Sequence, residues 1–362
     1  MTRNGDREQV RLLADDLTGA LDSGAKFSRR FGSLPVSFRF GSPLPQGNLG
    51  LDCGTRDATA ETAQARNTAL GDFFQGADIA MRKVDTLLRG HSFEEVALNY
   101  RLGGFRSGVF APAFPEQGRI TQAGRQWTRQ GADFVDVAGP LADRFRAVGI
   151  TPIIAATPAG ITGDGFFICD ATTMADLEGI ATAGHALTGP VLWCGAAGLA
   201  EALGGGARLQ TLPPRPCLVV VGSYHECSRT QLVALREAFP QSTLIATSLE
   251  CDCGIASADG LSVLGFDLQG VRQTEMPRAV DQALRSHLGT LSAPPGFLVA
   301  TGGETLRSIA ETMGATTLRI TGEIESGIPL SRLEGGKWDS VAVVSKSGAF
   351  GDRQTLVRLA AA

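Results

Sequence analysis

The chain of 362 residues carries 33 basic and 37 acidic side chains, giving a formal net charge of −4, and 43% of its residues are hydrophobic. It lacks the basic excess and the abundant aromatic residues of nucleic-acid-binding proteins, so we expect no nucleic-acid partner. The polar start and the lack of an apolar run of about 20 residues predict a cytoplasmic protein with no membrane partner. The length exceeds what one hydrophobic core usually supports, so we expect two domains.

The sequence gives little support for a disulfide scaffold, a zinc site or a P-loop. The seven cysteines are scattered, which favours a reduced protein over a disulfide scaffold. Cys251 and Cys253 form a single CxC without a second pair or a nearby histidine, a pattern that is weak evidence for zinc. The pair Gly336 and Lys337 precedes a tryptophan where a P-loop needs serine or threonine, which excludes a P-loop NTPase.

The first α/β unit is the stretch VRLLADDLTGALDSGAKF, residues 10–27. Its apolar start predicts a strand, and the residues from Leu17 onward predict a helix capped by Asp16 or Thr18. Asp15 and Asp16 therefore follow a strand, where ligands bind in open α/β sheets. The alternative is that Asp16 only caps the helix while Asp15 faces water.

Two further strand ends carry charged residues. We predict strands over 35–40, 49–53 and 79–84, with a helix over 59–74. A capping box at Ser92 and Glu95 predicts another helix start. The charged residues that follow strands are Arg56, Lys83, Asp85 and Arg89. They are candidate site residues, although Lys83, Asp85 and Arg89 could instead form a surface ion-pair cluster of small energetic value.

The rest of the first half is less regular. A strand over 109–114 is followed by Gln117 and Arg119, which we take as residues at the rim of a site. The pattern over 121–155 does not order its elements. Strands are predicted over 166–169 and 191–194, with a helix over 173–182 between them and the helix GAAGLAEAL after them.

The proline-rich stretch TLPPRP, residues 211–216, predicts a linker, because prolines stiffen a connection and cannot continue a helix. We therefore place the domains at 1–210 and 217–362. The second half predicts strands over 217–221, 243–247, 297–301 and 340–345, and helices from a cap at Ser228 and over 271–288. Ser223, the turn from Gly302 to Thr305 and the loop over 347–351 all follow strands, a pattern that favours a nucleotide crevice. The predicted fold class is α/β, with two α/β domains and an active-site cleft between them.

Together these loops resemble the four-carbon acid sugar kinase family over nearly the whole chain. The residues that carry the resemblance are, in order, ADDLTGALDSG (14–24), TR (55–56), KVDTLLRG (83–90), PAFPEQGR (112–119), GAAGLAEAL (195–203), GS (222–223), TGGET (301–305), GEIESGIP (322–329) and KSGAFG (346–351).

The resemblance implies a kinase that uses ATP and Mg²⁺ to phosphorylate the terminal hydroxyl of a four-carbon sugar acid such as threonate, erythronate or 3-oxo-tetronate. It implies a homo-oligomer as one possible state and assigns the acid to the N-terminal domain and ATP to the C-terminal domain. The acid-binding and catalytic residues are then Asp15, Asp16, Arg56, Lys83, Asp85 and Arg89. The nucleotide-binding residues are Ser223, Gly302, Gly303, Glu304, Thr305 and Gly348. No metal ligand is assigned.

The chain departs from the family pattern in two loops. Thr86, Leu87 and His91 replace the usual serine, threonine and asparagine of the lysine loop, and residues 224–226 replace small residues and proline after the Gly-Ser pair. The ionic residues are all retained. The alternative function is a catalytically silent sugar-acid sensor with the same two pockets; an α/β dehydrogenase lacks a nicotinamide fingerprint here. Between the two neighbouring acids, we predict Asp16 as the base, because Asp15 lies closer to the end of the strand.

Overall fold

The computed structural model describes residues 8–39, 45–246, 260–266, 272, 275–289, 291 and 293–361. The chain divides into two compact units, Met1–Ala207 and Arg208–Ala362. Each unit contains strands that alternate with helices, so the predicted α/β class is confirmed. The division falls a few residues before the proline-rich stretch at 211–216.

The first unit consists largely of strand-helix repeats. Its elements are β1 (Val10–Ala14), α1 (Leu17–Ala25), α2 (Ser28–Phe31), β2 (Leu34–Ser37), β3 (Leu49–Asp52), α3 (Ala60–Ala69), β4 (Ile79–Lys83), α4 (Ser92–Leu102), β5 (Ser107–Ala111), β6 (Arg119–Gln122), β7 (Arg125–Gln130), β8 (Asp133–Pro140), α5 (Leu141–Ala147), β9 (Pro152–Ala155), β10 (Gly165–Cys169), α6 (Met174–His185), β11 (Val191–Gly195) and α7 (Ala197–Gly204).

Eight of these strands form a parallel arrangement in the order β2-β3-β1-β4-β11-β5-β10-β9. Every residue of β1, β4 and β5 is buried, as expected for strands covered by helices on both faces. Because parallel strands end at the same edge, the loops after the neighbours β3, β1 and β4 emerge side by side. These are the loops with the predicted acids and cations.

The segment whose elements the sequence left unordered forms a separate antiparallel sheet, β6-β7-β8, followed by α5 and β9. Thr121 bridges to Ala171, and the carboxylate of Asp170 accepts hydrogen bonds from the amides of Ala123 and Gly124 at 2.7 and 2.9 Å. The small sheet is therefore fixed to the end of β10.

The predicted capping box at the start of α4 is wrong. The Ser92 hydroxyl donates to the carbonyl of Arg89 at 2.9 Å, and His91 at the helix start makes no capping hydrogen bond. Glu95 instead faces the core, where it forms a buried ion pair with Arg82 of β4 and accepts a hydrogen bond from Asn67 at 2.8 Å. Arg82 is only 1% exposed, so its guanidinium requires a counter-ion. Glu95 therefore pairs with Arg82 and does not cap the helix.

The second unit contains a mixed sheet. Its elements are β12 (Cys217–Val221), α8 (Glu226–Ala238), β13 (Thr243–Ala246), β14 (Leu261–Phe266), α9 (Met276–Gly289), β15 (Phe297–Thr301), α10 (Gly303–Thr312), β16 (Thr317–Glu325), β17 (Ile328–Glu334), β18 (Ala342–Lys346) and α11 (Thr355–Ala361). The strand order is β13-β14-β12-β15-β18-β17-β16. The first five strands pair in parallel, whereas β17 is antiparallel to both β18 and β16.

Several predicted boundaries shift. Helix α8 begins at Glu226, capped by His225, whose Nδ1 accepts from the amide of Cys227 at 3.2 Å, so the predicted cap at Ser228 is wrong. The helix predicted over 59–74 ends at Ala69, and the strand predicted over 35–40 ends at Ser37. Residues 40, 247, 271, 273 and 274, which the predicted elements included, lie outside the described residues, as do Cys251 and Cys253. Among the described helices, none has the length and apolar character needed to span a bilayer.

Candidate functional site

The first candidate site begins with the two acids after β1. Asp16 is the N-cap of α1: its Oδ1 accepts a hydrogen bond from the amide of Gly19 at 2.9 Å and its Oδ2 accepts one from the Thr18 hydroxyl at 2.6 Å. The capping role considered for Asp16 is therefore correct. Asp15, by contrast, does not face water, because it is only 3% exposed.

Arg56 joins the acids. Its Nε and Nη2 donate to the two carboxylate oxygens of Asp15 at 2.9 and 2.8 Å, and Nη2 also lies 2.7 Å from Asp16 Oδ1. Burial alone would raise the pKa of Asp15, but the charge and hydrogen bonds of Arg56 hold that pKa below its usual value. The Asp15 carboxylate therefore stays ionised, and both acids pair with one guanidinium.

The loop after β4 supplies a second paired acid. Asp85 is 5% exposed and accepts hydrogen bonds from Arg89 Nε at 2.9 Å and Nη2 at 2.8 Å, while Arg56 Nη2 lies 3.6 Å from its Oδ1. Burial opposes ionisation of Asp85, yet the hydrogen bonds from Arg89 and the charge of Arg56 lower its pKa strongly. A buried acid does not fit the alternative of a solvated surface ion-pair cluster.

Lys83, the last residue of β4, lies against the start of α1. Its ammonium donates to the carbonyl of Val84 at 2.7 Å. A Cβ atom at Gly19 would lie 3.2 Å from Lys83 Nζ and 2.5 Å from Asp16 Oδ1, so only glycine leaves room for both charged groups. The glycine of the DDLTG stretch therefore brings the helix start close to the lysine.

The antiparallel sheet contributes to this site from a region that the sequence pattern left unordered. Arg119 of β6 is close enough to Asp85 and Arg89 to interact electrostatically with both, although burial lowers its pKa. Gln126 of β7 donates to the carbonyl of Thr86 at 3.2 Å. Sequence reasoning found Arg119 as a rim residue but missed Gln126, since one glutamine in an irregular stretch gives no signal.

These residues form what we call the cation-carboxylate cluster: Asp15, Asp16, Arg56, Lys83, Asp85, Arg89 and Arg119. Four cations and three carboxylates leave one excess positive charge. Guanidinium groups can hold a carboxylate through paired hydrogen bonds, and a carboxylate can accept a proton from a hydroxyl. The cluster therefore suits a small anion that also carries hydroxyl groups.

Asp22 is a further, partly buried acid that the sequence did not single out. It lies on α1, its Oδ1 is inaccessible, and that atom has no hydrogen-bond partner among the described residues. Burial raises the pKa of Asp22 to about 6, despite the opposing charges of Lys26 and Lys83. Folding therefore favours the protonated form of this side chain.

We expect the Asp22→Asn variant to be more stable than the wild type at pH 7. Because the pKa of Asp22 is raised in the folded state, its contribution to wild-type stability is fully present below about pH 4. That contribution is lost as the pH rises through about 6. Since each pKa unit corresponds to about 1.4 kcal/mol, the gain should be about 1–3 kcal/mol. Urea unfolding at pH 4 and pH 7 measures it, with the exposed Asp143→Asn as control. An equal effect of Asp22→Asn at both pH values would contradict the raised pKa.

The second candidate site lies in the other unit and contains the residues predicted to bind a nucleotide. Gly302 has φ +90, and a Cβ there would lie 3.3 Å from the Cβ of Ser223. A Cβ at Gly348 would lie 2.2 Å from Ser223 Oγ, and one at Gly222 would lie 2.4 Å from Thr305 Oγ1. The loops after β12, β15 and β18 therefore meet closely, with the side chains of Ser223 and Thr305 filling the space beside these glycines.

Next to this meeting point is a cavity of about 260 Å³, which we call the α9/α10 cavity. The first turn of α10, with Gly303, Glu304 and Thr305, forms one side, and its amide groups lack intrahelical partners. The lining residues are Gly222, Ser223, Tyr224, Pro277, Val280, Asp281, Gly302, Gly303, Glu304, Thr305, Arg307, Ser308 and Glu311. A glycine turn leading into a helix N-terminus beside a cavity is a geometry suited to phosphate groups.

Each of the two units contains a region that matches a known family model. A model described as a sugar-binding N-terminal domain matches residues 10–144, and one described as a nucleotide-binding C-terminal domain matches residues 255–356. A D-threonate kinase of Cupriavidus necator is 31% identical over 95% of both chains, and one of Bordetella bronchiseptica is 27% identical over 98% of this chain and 97% of its own.

Two crystal structures share the fold. One, from Salmonella typhimurium LT2, has a TM-score of 0.74 at 17% identity and covers 97% of this chain and 98% of its own. The other, from Haemophilus influenzae, has a TM-score of 0.68 at 15% identity over 97% and 99% of the two chains.

Fold, family models and relatives define an α/β kinase, a phosphotransferase with an alcohol group as acceptor. The chain belongs to the four-carbon acid sugar kinase family.

Proposed function

We propose that this protein uses ATP to phosphorylate the terminal hydroxyl of a four-carbon sugar acid, with D-threonate as the first candidate substrate. The observation that carries the proposal is the cation-carboxylate cluster, in which buried acids and cations lie together at the ends of β1, β3 and β4. The names of the relatives support the substrate class, and threonate, erythronate and 3-oxo-tetronate all combine a carboxylate with hydroxyl groups.

The cluster offers distinct groups to the two ends of such an acid. Arg89, whose side chain is 60% exposed, presents its guanidinium to the substrate carboxylate, and Lys83 adds a second positive charge. Asp16 accepts the proton of the attacking hydroxyl. Its side chain is 16% exposed against 4% for Asp15, both of whose oxygens are bound by Arg56. Asp15 and Arg56 then hold Asp16 in position.

ATP is proposed to bind in the second unit. The amides from Gly303 to Thr305 at the start of α10 and the amide of Gly348 bind its phosphates, while Ser223 and Thr305 supply hydroxyl groups. Gly302, whose own amide donates to the carbonyl of Lys346 at 2.9 Å, allows the close approach of the turn. Transfer requires the terminal phosphate of ATP and the acceptor hydroxyl to be brought together. Phosphoryl transfer depends mainly on such positioning and on charge stabilisation.

The donor set is compatible with Mg²⁺ that arrives with the nucleotide. Among the described residues, no group of three or more His, Cys, Asp or Glu side chains is placed to hold a metal ion. Magnesium in nucleotide sites needs only one or two carboxylates, because phosphates and water complete its shell. Glu304, in the first turn of α10, would supply such a carboxylate. The ion would neutralise charge on the phosphates during transfer.

ATP consumption over a panel of four-carbon sugar acids tests the proposal. We expect Mg²⁺-dependent formation of ADP with at least one acid of the panel and none with the corresponding neutral sugar alcohol. Binding of both ATP and an acid without turnover would instead indicate the sensor considered as the alternative function. Turnover of the sugar alcohol as fast as the acid would contradict the assigned role of the cations.

A further inference from the structure

Several side chains donate hydrogen bonds to the carbonyl groups of the loop after β18, residues 347–352. Lys346 Nζ donates to the carbonyls of Ser347 at 2.7 Å and Phe350 at 2.9 Å. The Ser228 hydroxyl donates to the carbonyl of Gly348 at 2.8 Å. These bonds fix the orientation of successive peptide groups of the loop.

Helix α8 holds the remainder of the loop through Gln231 and Cys227. Gln231 Nε2 donates to the carbonyls of Phe350 at 3.0 Å and Asp352 at 2.7 Å. The Cys227 thiol lies 3.3 Å from the carbonyl oxygen of Gly351. Exposed glycine-rich loops are normally mobile. The side-chain hydrogen bonds to the carbonyls of this loop therefore distinguish it from an ordinary surface loop.

The bonds determine where the amide groups of the loop point. In a trans peptide the C=O and N–H of one unit point in opposite directions. The carbonyls of Ser347 and Gly348 point to Lys346 and Ser228, so the amides of Gly348 and Ala349 point away from them. Neither amide donates a hydrogen bond to any residue that the structure describes. Two adjacent free amides therefore lie in the loop that contacts Ser223.

We infer that Lys346 is a positioning residue, which together with Ser228 and Gln231 holds the amides of Gly348 and Ala349 as a binding site for a phosphate group of the nucleotide. The inference rests on the proposed nucleotide site and adds to it how the β18 loop acts. Lys346 does not touch the phosphate. It is 1% exposed and its ammonium is occupied by carbonyl groups.

The charge of Lys346 is consistent with this role. Burial lowers the pKa of Lys346 to about 8, so the ammonium stays largely protonated at neutral pH. An uncompensated positive charge in a buried place is costly unless it has polar partners or binds near an anion. The carbonyl groups provide the partners, and phosphate charge on the far side of the same peptides would add a favourable interaction.

The test compares Lys346→Met with the exposed control Lys337→Met in the same unit. Calorimetry would measure the dissociation constants of ATP, ADP and adenosine. Without the oriented amides, the affinity for ATP and ADP should fall about tenfold or more, because hydrogen bonds to a charged group are strong. The affinity for adenosine should change less than about twofold. KM for ATP should rise with little change in KM for the acid.

Ser228→Ala keeps the test valid if Lys346→Met fails to fold, since it removes only the bond to the Gly348 carbonyl. It should weaken ATP in the same direction by a smaller factor. Unchanged ATP affinity in both variants, or equal weakening of ATP and adenosine, would overturn the positioning role. If the wild type bound no ATP, the proposed function itself would fail, and the inference with it.

Discussion

The Asp16→Asn enzyme should lose about 10²- to 10⁴-fold in kcat, because a positioned base contributes a factor of this size. Asparagine keeps an Oδ1 that can accept from the amide of Gly19, so the start of α1 should be preserved. Affinity for the sugar acid should change much less than the rate. Steady-state kinetics with the acid found active in the panel, together with calorimetric binding of that acid, would separate the two effects.

The matched comparison is Asp15→Asn. Because Asp15 is bound through both oxygens by Arg56, its neutralisation should disturb the position of Arg56 and weaken binding as well as turnover. If Asp16→Asn turned over normally while Asp15→Asn lost turnover with binding intact, the two roles would have to be exchanged. Normal turnover in both variants would exclude the loop after β1 as the catalytic centre.

The second large effect concerns stability. Replacement of Glu95 by Leu should cost about 3–5 kcal/mol of unfolding free energy, since it leaves the guanidinium of Arg82 buried without its counter-ion. The double variant Arg82→Met with Glu95→Leu should recover most of that loss, because apolar side chains of similar volume often replace a buried ion pair at little cost. Urea unfolding measures both values.

A Trp338→Phe background would leave Trp127 and Trp193, both in the first unit, to report its unfolding by fluorescence. Asp164→Ala removes the exposed ion pair with Arg106 and serves as the control, expected to cost about 0–1 kcal/mol. A double variant as unstable as Glu95→Leu alone would show that the two side chains do not act as a pair.

The sequence predicts the order of strands and helices well where apolar runs end in glycine, aspartate or proline. It places Asp15, Arg56 and Asp85 at strand ends, and the parallel sheet then brings them together. Local patterns also limited the cap of α1 to Asp16 or Thr18, of which Asp16 is correct, because a cap depends on only four successive residues.

The features that the sequence did not predict correctly depend on long-range contacts. Glu95 has the spacing of a capping box, but its partner Arg82 lies 13 residues earlier on a strand whose neighbours cover it, and no local pattern shows that requirement. Ser228 resembles a cap but donates to Gly348, 120 residues away. The antiparallel sheet over 119–140 has short, partly exposed strands whose pairing depends on neighbours.

The pairing of Arg89 with Asp85 has a consequence for how a ligand would be chosen. The guanidinium holds an internal carboxylate through Nε and Nη2, so Asp85 fixes its orientation before a ligand binds. A guanidinium has five N–H donors, so the edge formed by Nη1 and Nη2 remains to pair with the carboxylate of the proposed substrate. Because Arg89 is already ordered, less side-chain entropy is lost when an acid binds. A neutral sugar of the same length would leave that edge without an anionic partner, so we expect the acid to be preferred.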